Sequence, residues 1–424
     1  MLSPAELETL VSPYTGVVSA VSEFLRASGE PRQPSFGARL ARGSSVLDRD
    51  VDEVSGGATW AAAVAEAAER YSACFVPLER LRLCAARELP GAVAPGRFAL
   101  FHESQYAVSG FPFERFDDDT VTAWTQGIEL ASGAGAWLPA QLVYLPPEPV
   151  GPQIAYSTSS GLAAAATEAD AVLAALLELI ERDAFMVSWS NRLSLPLLDW
   201  ADDPEIAELD RALFAPTRHR YSAIDASAFF AIPAVIGIVH GPPGELGAVG
   251  VGAAAAPRVA TAFHKALTEA FSVREHVRDS LVEDPALLPA APEDVFTFDD
   301  HMRFYGTAER AAGAAFLDAS PARRPSAGVP PLPGADAEAQ VRQVLRCLAA
   351  RGVSAYAVDV TAPDIREAGL HVARVVCPEL CALDVVHRAR FLGGVRLYRA
   401  AYDAGLAPRP LTLPELNHDP HPFP

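Results

Sequence analysis

Ala174-Ala175-Leu176-Leu177-Glu178-Leu179-Ile180-Glu181-Arg182-Asp183-Ala184 has a counterpart earlier in the chain, Ala61-Ala62-Ala63-Val64-Ala65-Glu66-Ala67-Ala68-Glu69-Arg70-Tyr71-Ser72. Both stretches are rich in Ala and Leu, with apolar residues at helical spacing. They predict helices over about Trp60–Ser72 and Glu168–Ser188. Each carries Glu-x-x-Glu-Arg. Each follows a Ser/Gly stretch that reads as a turn, Ser55-Gly56-Gly57 and Ser159-Ser160-Gly161.

Residues three apart on a helix share one face, so Glu66 projects with Glu69, and Glu178 with Glu181. In helices otherwise apolar, an unpaired charge is costly. Arg70 and Arg182 could neutralise these carboxylates. So could divalent cations, because oxygens from two helices suit a magnesium ion that also touches phosphate. The Ser/Gly turns would offer N–H groups to an anion. Two readings therefore stand side by side: salt-bridged, solvated helix faces, or a carboxylate-bound metal and phosphate site. The residues alone name no reaction.

The rest of the composition narrows the field. The 424 residues are half hydrophobic and 21% charged, an ordinary globular mix. The net charge of −19 repels phosphate backbones and anionic surfaces, which argues against nucleic-acid or membrane binding. No apolar run has the length of a membrane helix, and Met1–Glu8 lacks the basic start and apolar core of a signal peptide. A cytoplasmic protein is expected. The five cysteines (Cys74, Cys84, Cys347, Cys377, Cys381) are too sparse for a disulfide framework and read as free thiols. Lys265 is the only lysine among 34 basic residues, and it follows no Gly-rich loop, so a P-loop is absent. His102, His240 and His276 show no triad or metal spacing.

Along the chain, residues 1–50 read as an N-terminal extension that starts with a short helix, Pro4–Leu10, and the main body as 51–424. Residues 77–150 alternate short apolar runs with turns. Ile154–Gly161, Ile232–Val239, Val249–Val251, Val353–Val360 and Leu370–Cys377 read as strands. Further helices are expected over Arg258–Ser280 and Asp336–Arg351, the latter capped by Asp336. Residues 320–335 read as a Pro/Gly/Ala loop. The order lacks a βαβ rhythm, which favours α+β.

Beyond the two Glu-x-x-Glu segments, several landmarks recur in order. They are Gly252-Ala253 with Ala266-Leu267-Thr268-Glu269-Ala270 and Arg274, Asp300-His301 with Tyr305, Asp359-Val360-Thr361, Arg374-Val375-Val376-Cys377-Pro378, and the ending Pro420-His421-Pro422-Phe423-Pro424. Together they resemble the YcaO family, over about residues 50–424, and its azoline-forming branch through the Pro-rich end. The resemblance implies a large α+β domain of mixed, mainly antiparallel sheets flanked by helices. It implies ATP- and Mg2+-dependent cyclodehydration of Cys, Ser or Thr in a ribosomally made precursor peptide to thiazoline or oxazoline. It places Glu66, Glu69, Glu178 and Glu181 on magnesium and the triphosphate, with Arg70, Ser160 and Arg274 at the nucleotide and Pro420, Pro422 and Pro424 as a tail reaching the catalytic centre. It further implies a ThiF-like leader-binding partner, a flavin dehydrogenase as accessory, and a homodimer.

Four positions depart from the family's usual residues. Ala58 stands for Lys, Ala62 for Ser, Ser160 for Asn and Ser272 for Gln. Each change removes a polar contact of the nucleotide site, and hydrogen bonds to charged groups contribute roughly 1.5–3 kcal/mol each. A non-catalytic scaffold subunit is therefore a rival reading. Thioamide or macroamidine formation is another, which the Pro-rich tail disfavours.

Overall fold

The computed structural model describes residues 7–27, 29–41, 54–57, 59–145 and 150–424. Its sheets follow from short β-branched and aromatic segments separated by Pro/Gly turns. A first sheet has the order β1 (Val18–Glu23), β2 (Phe36–Leu40), β3 (Val54–Gly57). A second runs β4 (Arg82–Ala85), β5 (Val121–Glu129), β13 (Tyr356–Asp359), β14 (His371–Val376), β7 (Leu162–Ala165), with β6 (Gly135–Pro139) also paired to β5. The third runs β11 (Val249–Ala255), β10 (Ala234–His240), β9 (Arg220–Asp225), β8 (Leu197–Asp199), β12 (Arg323–Pro325). Among the described residues only β12 with β8 pairs in parallel; the other strand pairs are antiparallel. The expected α+β class with mainly antiparallel sheets is what folds.

Three helices position the carboxylates. α1 (Trp60–Cys74) starts at Thr59, whose hydroxyl accepts from the Ala62 N–H; it buries Ala63, Val64, Ala67 and Ala68 against the first sheet and β7. α2 (Glu168–Ser190) is capped by Thr167 in the same way and runs between the second and third sheets, touching β7, β14 and β11. α3 (Val259–Glu283) lies across β10 and β11. Gly237 and Gly252 face each other in the β10–β11 register, and Gly250 lies two residues away on β11. A Cβ at any of the three would come within 2.6 Å of an α3 backbone oxygen, so these glycines let the helix sit directly on the sheet. Farther on, α4 (Phe298–Phe304) packs on α3, and α5 (Ala337–Ala349) and α6 (Val395–Asp403) pack on α2. Asp336 caps α5 as its sequence predicts.

Several expectations shift. Ser55-Gly56-Gly57 is not a turn but most of strand β3, paired with β2. The Ile154–Gly161 strand is irregular backbone ending in a turn, and pairing begins at Leu162. The expected loop 320–335 contributes the short strand β12. β1 and β2, which fall within the expected extension, pair with each other and, through β2, with β3. Of the expected Pro4–Leu10 helix, residues 4–6 lie outside the described residues, as does Ala58. All five cysteines are free, and Cys377 and Cys381 are buried.

Candidate active site

The decisive positions sit where α1, α2 and α3 converge. Gly161 closes the turn ahead of β7 with φ +81°, and a Cβ there would lie 2.3 Å from the Val375 carbonyl oxygen. Only glycine fits, and its N–H donates to Glu178 Oε2 at 2.8 Å. Glu178 Oε1 in turn pairs with Arg182 at 2.6 Å, and Arg182 donates to the Ser160 hydroxyl. The turn's glycine N–H is thus spent on a carboxylate rather than left open to an anion. On the third sheet, Gly252 brings α3 close enough for Glu269 Oε2 to accept from the Ala253 N–H at 2.8 Å. Glu181 Oε2 accepts from Ala255 N–H on the same strand, at 3.3 Å. Glu66 accepts from Arg70, one turn along α1, at 3.3 Å.

Five carboxylates so gather from three helices, and their charges act on one another. Burial pushes Glu69 up to about 8, with Glu178 and Glu66 adding to the rise against the pull of Arg70 and Arg182. Burial likewise raises Glu269 to about 7, against the Ala253 N–H and Arg182. Glu181 is held well above the usual carboxylate range by burial and by Glu269, although Arg182 and Lys265 oppose it. Near neutral pH the cluster therefore retains protons. That is the state of an acidic site short of positive charge.

Among the described residues, no three His, Cys, Asp or Glu side chains converge closely enough to hold a metal ion as they stand. Glu66, Glu178, Glu181 and Glu269 are each turned onto a local donor, as above. The donor chemistry nevertheless fits magnesium: hard oxygens on facing helices, and protons that a divalent cation would displace.

Arg374 on β14 adds a second kind of group. It is buried, it donates to the Thr158 carbonyl oxygen at 2.6 Å, and its Nε has no partner. Burial lowers it to about 10, while Glu178 and Glu69 hold it charged. Sequence reasoning assigned no role to Glu269 or Arg374. Glu269 was legible as a carboxylate between Ala266 and Ala270 on the face packed against Gly252. Arg374 stands in one of the landmarks that carry the YcaO resemblance, but as a residue it reads only as a charge inside an apolar strand.

Arg274 lies elsewhere. Five residues beyond Glu269, it is about 140° around α3. Its guanidinium pairs with Glu30 at 2.6 Å and Glu245 at 3.5 Å, and Arg278 joins Glu30 at 3.1 Å. The structure does not bring it together with the carboxylates. Ser272, likewise, accepts from Arg26 at 3.3 Å.

The C-terminal tail is anchored along its length. Trp189 Nε1 donates to the Asp419 carbonyl, Tyr305 to that of Pro420, and His421 stacks on His301 at 3.9 Å. Phe423 stacks on Phe185 at 4.6 Å. Phe185 follows Glu181 by one turn of α2, so the ring on which Phe423 packs stands about 6 Å along the helix from Glu181. Pro420 and Pro422 are buried and Pro424 is half-buried.

A family model described as YcaO cyclodehydratase, ATP- and Mg2+-binding, matches residues 55–381. The chain belongs to the YcaO family. All four glutamates of the Glu-x-x-Glu pairs, and Glu269, lie inside the matched YcaO region. A heterocyclase in complex with substrate and cofactor is similar in structure, at TM-score 0.80 and 25% identity over 99% of this chain. The heterocyclase TruD is similar at TM-score 0.68 and 26% identity over 86%. YcaO from Methanopyrus kandleri, bound with AMPPCP and Mg2+, shares the fold at TM-score 0.59, 18% identity and 86% coverage of either chain. This YcaO chain spans 56% and 50% of the two heterocyclase chains, so about half their length. No curated protein matches the sequence. Among the described residues, no helix is long and apolar enough to cross a membrane.

Proposed function

We propose that this YcaO chain carries out ATP- and Mg2+-dependent cyclodehydration of a precursor peptide. A Cys, Ser or Thr side chain attacks the preceding amide carbonyl carbon, and the ring closes to a thiazoline or oxazoline with net loss of water. ATP supplies the γ-phosphoryl group that the amide oxygen carries away as phosphate, leaving ADP. The observation that carries the reading is the proton-holding carboxylate cluster on facing helices within a YcaO domain.

Glu66, Glu69, Glu178 and Glu181 would hold magnesium, and Glu269 completes their face. Arg70 and Arg182, already beside these carboxylates, would neutralise triphosphate charge as it builds, the expected main catalytic contribution in phosphoryl transfer. Pro424 would end the tail beside them, with Pro420 and Pro422 fixing its path. A cytoplasmic setting, a ThiF-like partner gripping the leader, a flavin dehydrogenase and a homodimer complete the proposal.

Ser272 engaged by Arg26 motivates one second reading, a scaffold subunit that no longer turns over ATP. The experiment that separates them is mass analysis of precursor incubated with protein, partner and Mg-ATP. Loss of one water per ring, abolished by Glu178→Gln, is expected of the enzyme. Full modification with Glu178→Gln would favour the scaffold, and no water loss at all would sink the enzymatic reading.

A further inference from the structure

Beside the carboxylate cluster, with Arg374 in its wall, lies a cavity of ≈ 100 Å³. Phe98, Leu142, Leu179 and Phe391 give it apolar walls. Tyr156 and Arg374 line it too, and Ser160 joins it to the turn that holds Glu178. Its aromatic wall is packed ring on ring: the Tyr156 ring stands edge-on to Phe113 at 4.5 Å and to Phe391 at 5.8 Å.

Two buried donors here have no partner, the Tyr156 hydroxyl and Arg374 Nε. Buried polar groups are almost always satisfied, and an orphan at a site calls for a ligand or water. Arg374 is 5% exposed and makes no ion pair among the described residues. Cation plus donor select a ligand that accepts, and the walls select one with an apolar body. Size decides between the two reactants of the proposed chemistry. A cavity near 150 Å³ holds benzene, so a purine exceeds this one, whereas an aliphatic side chain fits.

We infer that this cavity seats the acyl side of the reacting peptide bond, with the aliphatic side chain preceding the cyclised residue between Leu142 and Phe391 and its carbonyl oxygen accepting from Arg374. The inference rests on the cyclodehydratase reading. It adds a selectivity to that reading: sites preceded by a residue of the size of Val or Leu are favoured over those preceded by Gly or Trp. Arg374 also stands where negative charge on that oxygen would build.

The test is calorimetric titration of N-acetyl-Leu-Cys amide, N-acetyl-Gly-Cys amide and N-acetyl-Trp-Cys amide into the full chain with Mg2+ and a non-hydrolysable ATP analogue. The Leu peptide should bind about tenfold tighter than either of the others. Leu142→Phe, which narrows the cavity, should erase that preference. Arg374→Lys should weaken all three peptides less than Arg374→Leu does. Equal affinities, binding of none, or a preference untouched by Leu142→Phe would overturn the inference. Precursor mass analysis keeps the two readings apart. Water loss indifferent to the preceding residue overturns the seat alone. A Leu preference in binding without any water loss supports the seat and sinks the cyclodehydratase.

Discussion

Glu69 carries the clearest consequence at the scale of one residue. Its carboxyl is raised from 4.5 to about 8. A carboxylate raised on folding stabilises the fold while it is protonated. That contribution is complete below pH 4.5 and is lost as the pH climbs through about 8. Magnesium needs the deprotonated form, so binding must expel the proton. Titration of Mg2+ with nucleotide into the protein at pH 7 should release protons, seen as a binding enthalpy that varies with the ionisation heat of the buffer. Affinity should rise between pH 6 and 8 and then level off. Glu69→Gln, which has no proton to lose, should bind metal weakly and with less pH dependence. Enthalpies independent of buffer would show that the cluster does not meet the metal.

Elements explain why some of this was legible and some was not. The Glu-x-x-Glu pairs could be read because helical spacing is local: three residues fix a face whatever the fold does. The Ser55-Gly56-Gly57 turn was misread because its state depends on a partner far away, β2, which pairs it into a sheet. Glu269 gains its setting from strand β11, which brings Ala253 to it, and Arg374 from the irregular backbone ahead of β7, which brings Thr158. The tail is another such case. Its prolines suggest an extended chain, but its anchorage comes from Phe185, Trp189, His301 and Tyr305. Phe423, 1% exposed, is buried against Phe185. Phe423→Ala should destabilise the protein by about 3–5 kcal/mol, as truncation of a buried aromatic does. By loosening Pro424 it should also slow ring formation more than it weakens ATP binding. Equal losses in turnover and nucleotide affinity would mean that the tail serves the fold alone.

At the scale of the whole molecule, the segment between β1 and β2 reaches far across the sequence to meet α3. Arg26 pairs there with Glu275, Gln33 accepts from His264, and Glu30 meets Arg274 across 244 residues of sequence. Glu30 and Arg274 are each 1% exposed at the side chain. Burial outweighs the pull of Arg274 and Arg278 and holds the Glu30 carboxyl above its usual value. The ion pair is therefore an expensive way to close the molecule. The cost of breaking it is larger still, because a lone buried charge has nothing to offset its lost hydration. Glu30→Leu should destabilise the protein by about 3–5 kcal/mol, read from the shift of its urea midpoint. Adding Arg274→Met to the same chain should recover most of that loss, since two apolar side chains of similar volume replace the buried pair while Arg278 keeps Asp279 and Glu245 stays in water. Were Arg274 instead bound to the triphosphate, the double variant would be stable yet lose affinity for Mg-ATP. Nucleotide binding unchanged in the double variant is the result expected from a guanidinium about 140° away from Glu269 around the helix.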